Sequence, residues 1–311
     1  MKNYYQIRLG RKNIFSEEGQ KGNFIGVDFL GNMDLSKDCL LDSKEFNRKF
    51  IPIWLSKHQD KTKTAGAISC GFLWTAISGI KINDIVLCPD GKGNFHVGEI
   101  ISDYKYNQGK NLPHQRDVRW YSTTISKQSM SKSLSNSLGA IGTVAKITKH
   151  AREIENLLSG NNPRIITTTD ETIENASEFA LEEQLEEFLI ENWKSIEISK
   201  NYDILEEDGD LVGQQYPTDV GEIDILAISK DKNTLLVIEL KRGRTSDVVV
   251  GQCLRYMGYV KNELAEENQK VRGMIIGHDE DLKIKHALSM TPDIDFYTYR
   301  IDFQLKKISI K

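Results

Sequence analysis

The chain has 311 residues, 39% hydrophobic and 28% charged, a composition that allows two folded domains and excludes a wholly disordered chain. Its longest nearly apolar stretch, at 71–80, is too short to cross a bilayer, and its first residues show no secretory signal. We therefore expect a cytoplasmic protein with no membrane partner. The four cysteines and six histidines are scattered, which predicts reduced structural thiols and no zinc site.

The charge is unevenly distributed along the chain. Residues 1–150 hold 22 Lys and Arg against 13 Asp and Glu, a net charge of +9, whereas residues 151–311 hold 19 against 32, a net charge of −13. A basic first half predicts contact with a polyanion such as a nucleic acid. The alternative is that the two halves attract each other, or that the charges are simply solvated.

The first half shows the pattern of short strands and turns. Apolar and polar residues alternate over 84–106 around the sequence PDGKGN, which predicts a β-hairpin, and 117–126 is a further candidate strand. Strands of this kind are typical of a small barrel or a strongly bent sheet. A helical pattern follows, with Thr148 as its expected N-terminal cap and Gly160 as its end.

The segment that follows has no sustained period and is rich in Thr and Asn. We therefore predict a linker at 159–177, between one domain at 1–158 and a second at 178–311.

The second domain alternates helical and strand patterns. The expected elements, in chain order, are a helix at 178–193, strands at 221–228 and 234–241, a helix from Ser246 to 269, a strand at 271–278, a helix at 280–290 and final strands after 295. This order predicts an α/β fold with a mixed sheet.

Three charged residues interrupt the most apolar strand pair. Glu239 and Lys241 point to the same face of one strand, and Asp224 lies in the middle of the preceding strand. If the strands pair across the turn at 229–233, Asp224 and Glu239 approach each other, which is costly unless a cation lies between them. Mg²⁺ suits two carboxylates and a phosphate, and Lys241 would then lie beside the attacking water and the scissile phosphate.

This arrangement resembles the PD-(D/E)xK nuclease superfamily, with Asp224 as its first acid and Glu239-Leu240-Lys241 as its E-x-K motif. Ile223 stands where the superfamily usually has proline. The following sequence GQCLRYMGY contains a Q-x-x-x-Y motif at Gln252 and Tyr256, which is similar to Mrr-like restriction enzymes and to archaeal-type endonucleases that cut mismatched or branched DNA.

The resemblance implies a role for each of these residues. Asp224 and Glu239 would hold Mg²⁺, or Mn²⁺ as the alternative, together with the Leu240 carbonyl, and Lys241 would position the water. Gln252 would support the site.

These families also carry an acid on the helix before the hairpin. Glu182 is our choice for it over Glu183, because Glu182 lies at the edge of the apolar face.

The first half resembles the small PUA/EVE-like barrels over about 65–145. That family accepts a base that has swung out of the duplex, held by stacking and by hydrogen bonds. The resemblance suggests three aromatic candidates for base contact: Trp74, Tyr104 and Trp120. The candidates for other nucleic-acid contacts are Lys105, Arg116, Arg119 and Tyr256. In each case the alternative is an ordinary core or surface position.

The expected function is that of a metal-dependent DNA endonuclease, with an α/β restriction-endonuclease-like second domain and a mainly β, barrel-like first domain. Restriction of foreign or modified DNA is the favoured role. A repair nuclease acting on mismatched or branched DNA, and a DNA-binding protein that no longer cuts, are the alternatives, and RNA as a substrate stays open. A double-strand cut needs two sites, which favours a homodimer. No phosphate-binding glycine loop is present, so no nucleotide cofactor is expected.

Overall fold

A computed structural model describes residues 2–139, 142–159, 185–207, 210–245, 247–280 and 282–299. The predicted linker lies almost entirely outside these ranges. Two sheets form the framework, one in each half of the chain. None of the helices in the described ranges is long and apolar enough to span a membrane.

The first sheet contains seven strands in the spatial order β2-β6-β4-β3-β1-β7, with β5 beside β6. Their bounds are β1 Tyr4–Ile7, β2 Phe24–Val27, β3 Ile85–Pro89, β4 Asn94–Ile100, β5 Lys105–Tyr106, β6 His114–Ser126 and β7 Val144–Lys146. β3 and β4 form the predicted hairpin around PDGKGN, and β6 is the predicted strand at 117–126. Since β2 and β7 end the order without pairing in the described part of the chain, the sheet is open and not a closed barrel.

Helices in the first half are more extensive than the sequence pattern indicated. They are α1 Ser16–Gly22, α2 Ser43–Lys57, α3 Lys63–Trp74, α4 Lys132–Gly139 and α5 Ala151–Leu158. The expectation of strands and turns misses α2 and α3. Eight of the twelve residues of α3 are buried, so the helix has no polar face to produce a 3.6-residue period.

The start of α5 also differs from the prediction. Thr148 does not cap it, because its hydroxyl oxygen accepts a hydrogen bond from the backbone N–H of Tyr4 at 2.9 Å. A single 3₁₀ turn, Thr148–His150, leads into the helix instead. Thr148 therefore ties the chain to β1.

The second half contains the expected mixed sheet, in the order β11-β12-β13-β14-β15, with β8 also pairing with β12. The strands are β8 Tyr202–Ile204, β11 Gln214–Thr218, β12 Gly221–Ser229, β13 Thr234–Thr245, β14 Lys270–Glu280 and β15 Ile294–Thr298, and β9 Glu206–Glu207 with β10 Asp210–Leu211 forms a separate two-stranded ribbon. β11, β12 and β13 are antiparallel to one another, whereas β13, β14 and β15 are parallel. This mixture confirms the predicted α/β class.

Three helices accompany this sheet. The described part of α6 is 185–191, α7 is Val248–Tyr259 and α8 is Leu282–Ser289. Leu189 and Trp193, at and just after the end of α6, pack on one face of the sheet with Ile238 and Leu240 of β13. α7 packs on the opposite face, where Cys253 shares a core with Val237 of β13.

The two halves contact each other directly. Lys61 pairs with Glu207 and Lys44 pairs with Asp219, each at 2.8 Å, and Thr64 of α3 donates a hydrogen bond to the Leu264 carbonyl at 3.1 Å. One hydrophobic core runs through both sheets. These ion pairs support, for part of the uneven charge distribution, the alternative that the two halves attract each other.

Candidate active site

The β12–β13 hairpin carries two of the predicted acids on neighbouring strands. Ile225 pairs with Ile238, and Asp224 and Glu239 are the next residues along the two strands. The backbone N–H of Leu240 donates a hydrogen bond to Asp224 Oδ2 at 2.8 Å, which fixes this carboxylate against the neighbouring strand. The predicted pairing across the turn is confirmed.

Glu239 is completely buried, with no exposed surface. Alternation along β13 puts it on the face that carries Val237, beneath α7. Burial, followed by the negative charge of Glu239, raises the pKa of Cys253, and both also raise the pKa of Tyr256 on that helix. A buried carboxylate is expensive to keep ionised unless a cation or hydrogen-bond donors offset its charge. At this position the charge of Glu239 needs a cation or hydrogen-bond donors to offset it.

Glu186 on α6 is a third acid of the site, which the sequence analysis missed. It is 7% exposed, and its two carboxylate oxygens accept hydrogen bonds from the side-chain amides of Gln214, at 2.8 Å, and of Gln215. Burial, followed by the negative charge of Asp224, raises the pKa of Glu186 to about 7. Glu182 and Glu183 lie outside the described residues. Glu186 is one helical turn after Glu182, so the same argument from the edge of the apolar face could have identified it.

Gln215 links the acids to one another. Its side-chain amide donates to Glu186 and, at 3.4 Å, to Asp224, and its backbone has a φ of +48°. A left-handed backbone at a residue other than glycine is uncommon, and such strain persists only where the surrounding structure holds it. β11 thus places the side-chain N–H group of Gln215 between the carboxylates of Glu186 and Asp224.

Lys241 completes the E-x-K motif on the same strand. It is half-buried and lies where the pairing between β13 and β14 shifts register, between Lys241 and Arg244. It is two positions after Glu239, with Leu240 between them, so both side chains leave the same face of β13.

The Q-x-x-x-Y residues of α7 pack against the beginning of β12. Gln252 donates its amide N–H to the Tyr256 hydroxyl at 3.5 Å, and burial, with the charges of Glu239 and Asp224, raises the pKa of Tyr256. Tyr256 is 4% exposed, which contradicts its predicted contact with nucleic acid. Its role is to fix α7 above the hairpin.

Gly221 is the point at which Tyr256 touches β12, and replacing it tests this packing. Its φ is +131°, and a Cβ atom there would lie 2.4 Å from the Tyr256 hydroxyl oxygen. We expect Gly221→Ala to lower the free energy of unfolding by about 2–4 kcal/mol, measured by urea denaturation.

Gly258→Ala is the matched control, because Gly258 lies in α7 with nothing within 4 Å of a Cβ atom. It should raise stability by about 0.5–1 kcal/mol through the better helix propensity of alanine. Equal effects of the two substitutions would contradict the Tyr256 contact.

Mg²⁺ fits this set of donors when water and phosphate complete its coordination. Among the described residues, no three His, Cys, Asp or Glu side chains are placed to enclose a metal ion by themselves. Mg²⁺ commonly binds one or two carboxylates and keeps several waters, so the neighbouring Asp224 and Glu239 with a carbonyl are a sufficient protein share. Burial is the main cause of the raised pKa of Glu186, and a cation would relieve the second cause, the negative charge of Asp224.

Arg116, a predicted phosphate contact in the first half, is instead part of the core. It is 4% exposed, and its guanidinium donates to the carbonyls of Ile80 at 2.7 Å, Ser102 at 2.9 Å and Ile77 at 3.3 Å. This burial contradicts a contact with DNA. Arg116 joins β6 to the segment before β3.

The predicted base-contacting aromatics are also held by the fold. The indole N–H of Trp74 donates to the Leu41 carbonyl at 2.9 Å and that of Trp120 to the Gly19 carbonyl at 3.2 Å. The Tyr104 hydroxyl lies 2.8 Å from Nδ1 of His114. All three pack against the core, so the structure brings together no aromatic pocket from them.

Lys105 and Arg119 remain accessible. Lys105 pairs with Asp117, and Arg119 pairs with Glu99 at 2.9 Å, but both cationic side chains are more than half exposed. Their contact with phosphates stays a prediction.

Comparison with known proteins separates the two halves of the chain. Residues 5–148 match a family described as a domain of unknown function, DUF8426. Residues 182–302 match the family described as the endonuclease NucS C-terminal domain. The acids and the lysine of the candidate site all fall in the second match.

A curated relative and two solved structures extend this comparison. Endonuclease NucS of Methanocaldococcus jannaschii is 37% identical over 79 residues, which cover 25% of this chain and 29% of that protein. The chain thus aligns with less than a third of the relative's length.

The crystal structure of a repair endonuclease from Pyrococcus abyssi has 16% identity and a TM-score of 0.30, over 68% of this chain and 66% of the other. The structure of an EndoMS–dsDNA complex has 15% identity and a TM-score of 0.31, over 71% and 66%. TM-scores this low establish no common overall architecture. It is residues 182–302 that are similar to a known enzyme domain, the C-terminal domain of the NucS endonucleases.

Proposed function

We propose that the protein is a metal-dependent endonuclease that hydrolyses phosphodiester bonds in DNA. The observation that carries the proposal is that Asp224 and Glu186 meet at Gln215, beside the strand that carries Glu239 and Lys241, within the segment similar to the NucS C-terminal domain. A purely structural role would give no reason to place these acids around a hydrophobic hairpin.

Asp224 and Glu239, with the Leu240 carbonyl, would hold Mg²⁺ at this site, with Mn²⁺ as the alternative ion. When bound, the ion would supply Lewis acidity toward the scissile phosphate and its attacking water. Lys241 would orient that water and offset the negative charge that develops on the phosphate oxygens. Gln215 would keep Asp224 in position. Gln252 would keep in position the face of α7 that packs on the hairpin.

Restriction of modified DNA rested on a base pocket in the first half. Trp74, Tyr104 and Trp120 make hydrogen bonds within the fold, and Trp74 also lines the cavity between the halves, so base contact by these residues stays a prediction. We favour cleavage of mismatched or branched DNA because residues 182–302 are similar to the NucS C-terminal domain, in keeping with the archaeal-type endonucleases that the Q-x-x-x-Y motif resembles. A homodimer remains our expectation for double-strand cutting.

Plasmid cleavage tests the enzyme directly. With Mg²⁺, we expect nicking or linearisation of DNA by the wild-type protein, loss of cleavage with a chelator, and a reduction of about a hundredfold or more in Lys241→Ala. Lys230→Ala is the control, since Lys230 lies at the turn of the same hairpin and pairs with the exposed Asp203 at 3.1 Å. It should cut at the wild-type rate.

The choice of substrate separates the roles. Matched, mismatched, branched and base-modified duplexes of equal length should be compared in the same assay. Preference for mismatched or branched duplexes would support repair, and preference for modified duplexes would support restriction. DNA that stays intact while binding is unchanged by the chelator would leave only a DNA-binding protein.

A further inference from the structure

A cavity of about 430 Å³ lies between the two halves, next to elements that carry the candidate active site. One wall comes from α2, α3 and β7 of the first half, and the other comes from β11, the start of β12 and α7. Gln215, which holds both Asp224 and Glu186, is part of the second wall. The cleft is therefore lined by a residue that contacts two of the carboxylates, and its other side belongs to the first half.

Three lysines of the first half line this cavity: Lys44, Lys146 and Lys149. Lys44 is paired with Asp219 across the cleft. Lys146 and Lys149 are exposed, and both act electrostatically on Glu222 of β12, whose pKa burial raises and these two charges lower. The charge of Lys149 also lowers the pKa of Glu186 against the effect of burial. Both lysines thus lie near Glu222, and Lys149 also acts on Glu186.

The backbone that carries these lysines is firmly attached. Ile147, between them, is completely buried, and its N–H donates to the Tyr4 carbonyl at 2.7 Å. Thr148 accepts a hydrogen bond from Tyr4 in return. Two cationic side chains are therefore presented to the cleft from a fixed turn.

Electrostatics explains why such cations are needed. Residues 151–311 carry a net charge of −13, and the site itself adds several neighbouring carboxylates, so a DNA strand approaching it is repelled. The basic first half is the part of the chain that offsets this repulsion. Lysines aligned with the phosphate backbone supply binding that is independent of sequence.

We propose that Lys146 and Lys149 form a phosphate-binding site that completes the nuclease site from the first half, holding the DNA backbone in the cleft beside Asp224 and Glu186. This inference rests on the proposed nuclease function. It assigns the two lysines to substrate positioning and leaves hydrolysis to the residues of the second half.

The double variant Lys146→Ala/Lys149→Ala tests the proposal, with Lys110→Ala/Lys127→Ala as a control of equal charge change. Lys110 and Lys127 are exposed in the same half and lie outside the cavity lining. DNA binding should be measured by fluorescence anisotropy in chelator across a range of salt concentrations. We expect the slope of log affinity against log salt to become shallower by about 2 in the test variant only, because each lost phosphate contact removes close to one unit.

Cleavage kinetics provide the second measurement. KM for DNA should rise roughly tenfold or more in the test variant while kcat changes little, since uniform binding is lost. A salt slope and KM equal to those of the control would overturn the proposal. If the wild-type protein binds DNA but never cuts it, the nuclease function fails, and the salt slope alone decides whether the lysines bind phosphate.

Discussion

Asp224→Asn should abolish cleavage, with a loss of roughly a thousandfold or more, while the protein stays folded. The substitution removes the negative charge that binds the metal ion, and such ligands contribute several kcal/mol to charge stabilisation in the transition state. It preserves the local structure, because an asparagine Oδ1 can still accept the hydrogen bond that Leu240 N–H donates to Asp224 at 2.8 Å. Plasmid cleavage and Mg²⁺ titration calorimetry measure the two effects.

Asp203→Asn is the matched control for this experiment. Asp203 lies on β8, exposed at the edge of the same sheet, and pairs with Lys230. We expect it to bind Mg²⁺ and cut DNA as the wild type does. Wild-type cleavage by Asp224→Asn would exclude Asp224 from metal binding, and with it the central part of the proposed function.

Glu186→Gln should stabilise the metal-free protein above pH 7 and at the same time impair cleavage. The folded-state pKa of Glu186, about 7, lies above its ordinary value of 4.5 because of burial and the charge of Asp224. A raised folded-state pKa means that stability is full below pH 4.5 and is lost as the pH rises through 7. At about 1.4 kcal/mol per pKa unit, ionisation of Glu186 costs the native state up to about 3 kcal/mol at pH 8.

Urea denaturation in chelator, at pH 4.5 and at pH 8, measures this effect. We expect the variant to be more stable than the wild type at pH 8 and similar to it at pH 4.5, and Mg²⁺ to stabilise the wild type more than the variant. Glu197→Gln is the control, since the Glu197 side chain is 83% exposed and should change stability by less than about 0.5 kcal/mol at either pH. A stability difference that does not vary with pH would show that Glu186 is not the titrating group.

The local sequence pattern predicted secondary structure where apolar and polar residues alternate along a strand or where a helix has one apolar face. The hairpin at 84–106 and the strand pair that carries Asp224 and Glu239 could be predicted because their turns and apolar runs are local signals. α3 could not, since it is buried on nearly every side and its sequence has no amphipathic period. α2, by contrast, buries Phe46, Phe50, Ile51 and Trp54 on one face and exposes the other, so its pattern was available in the sequence.

Side-chain roles in the first half depended on environments that no local pattern contains. Arg116 and Trp74 carry groups that are typical of DNA contacts, and each instead satisfies backbone carbonyls inside the fold. In the sequence, an arginine whose guanidinium donates to three buried carbonyls looks the same as an arginine exposed to solvent. Only the packing around them distinguishes the two.

The sequence by itself determined the α/β class of the second half, the pairing of β12 with β13 and the E-x-K strand, because strand alternation places Glu239 and Lys241 on one face whatever surrounds them. Tertiary structure alone decided that Glu186 reaches the same site and that Lys149 acts on it from the first half. Those residues come from distant parts of the chain, and their proximity follows from the packing of whole elements. Burial and neighbouring charge, which set the pKa of Glu186, arise only when that packing has formed.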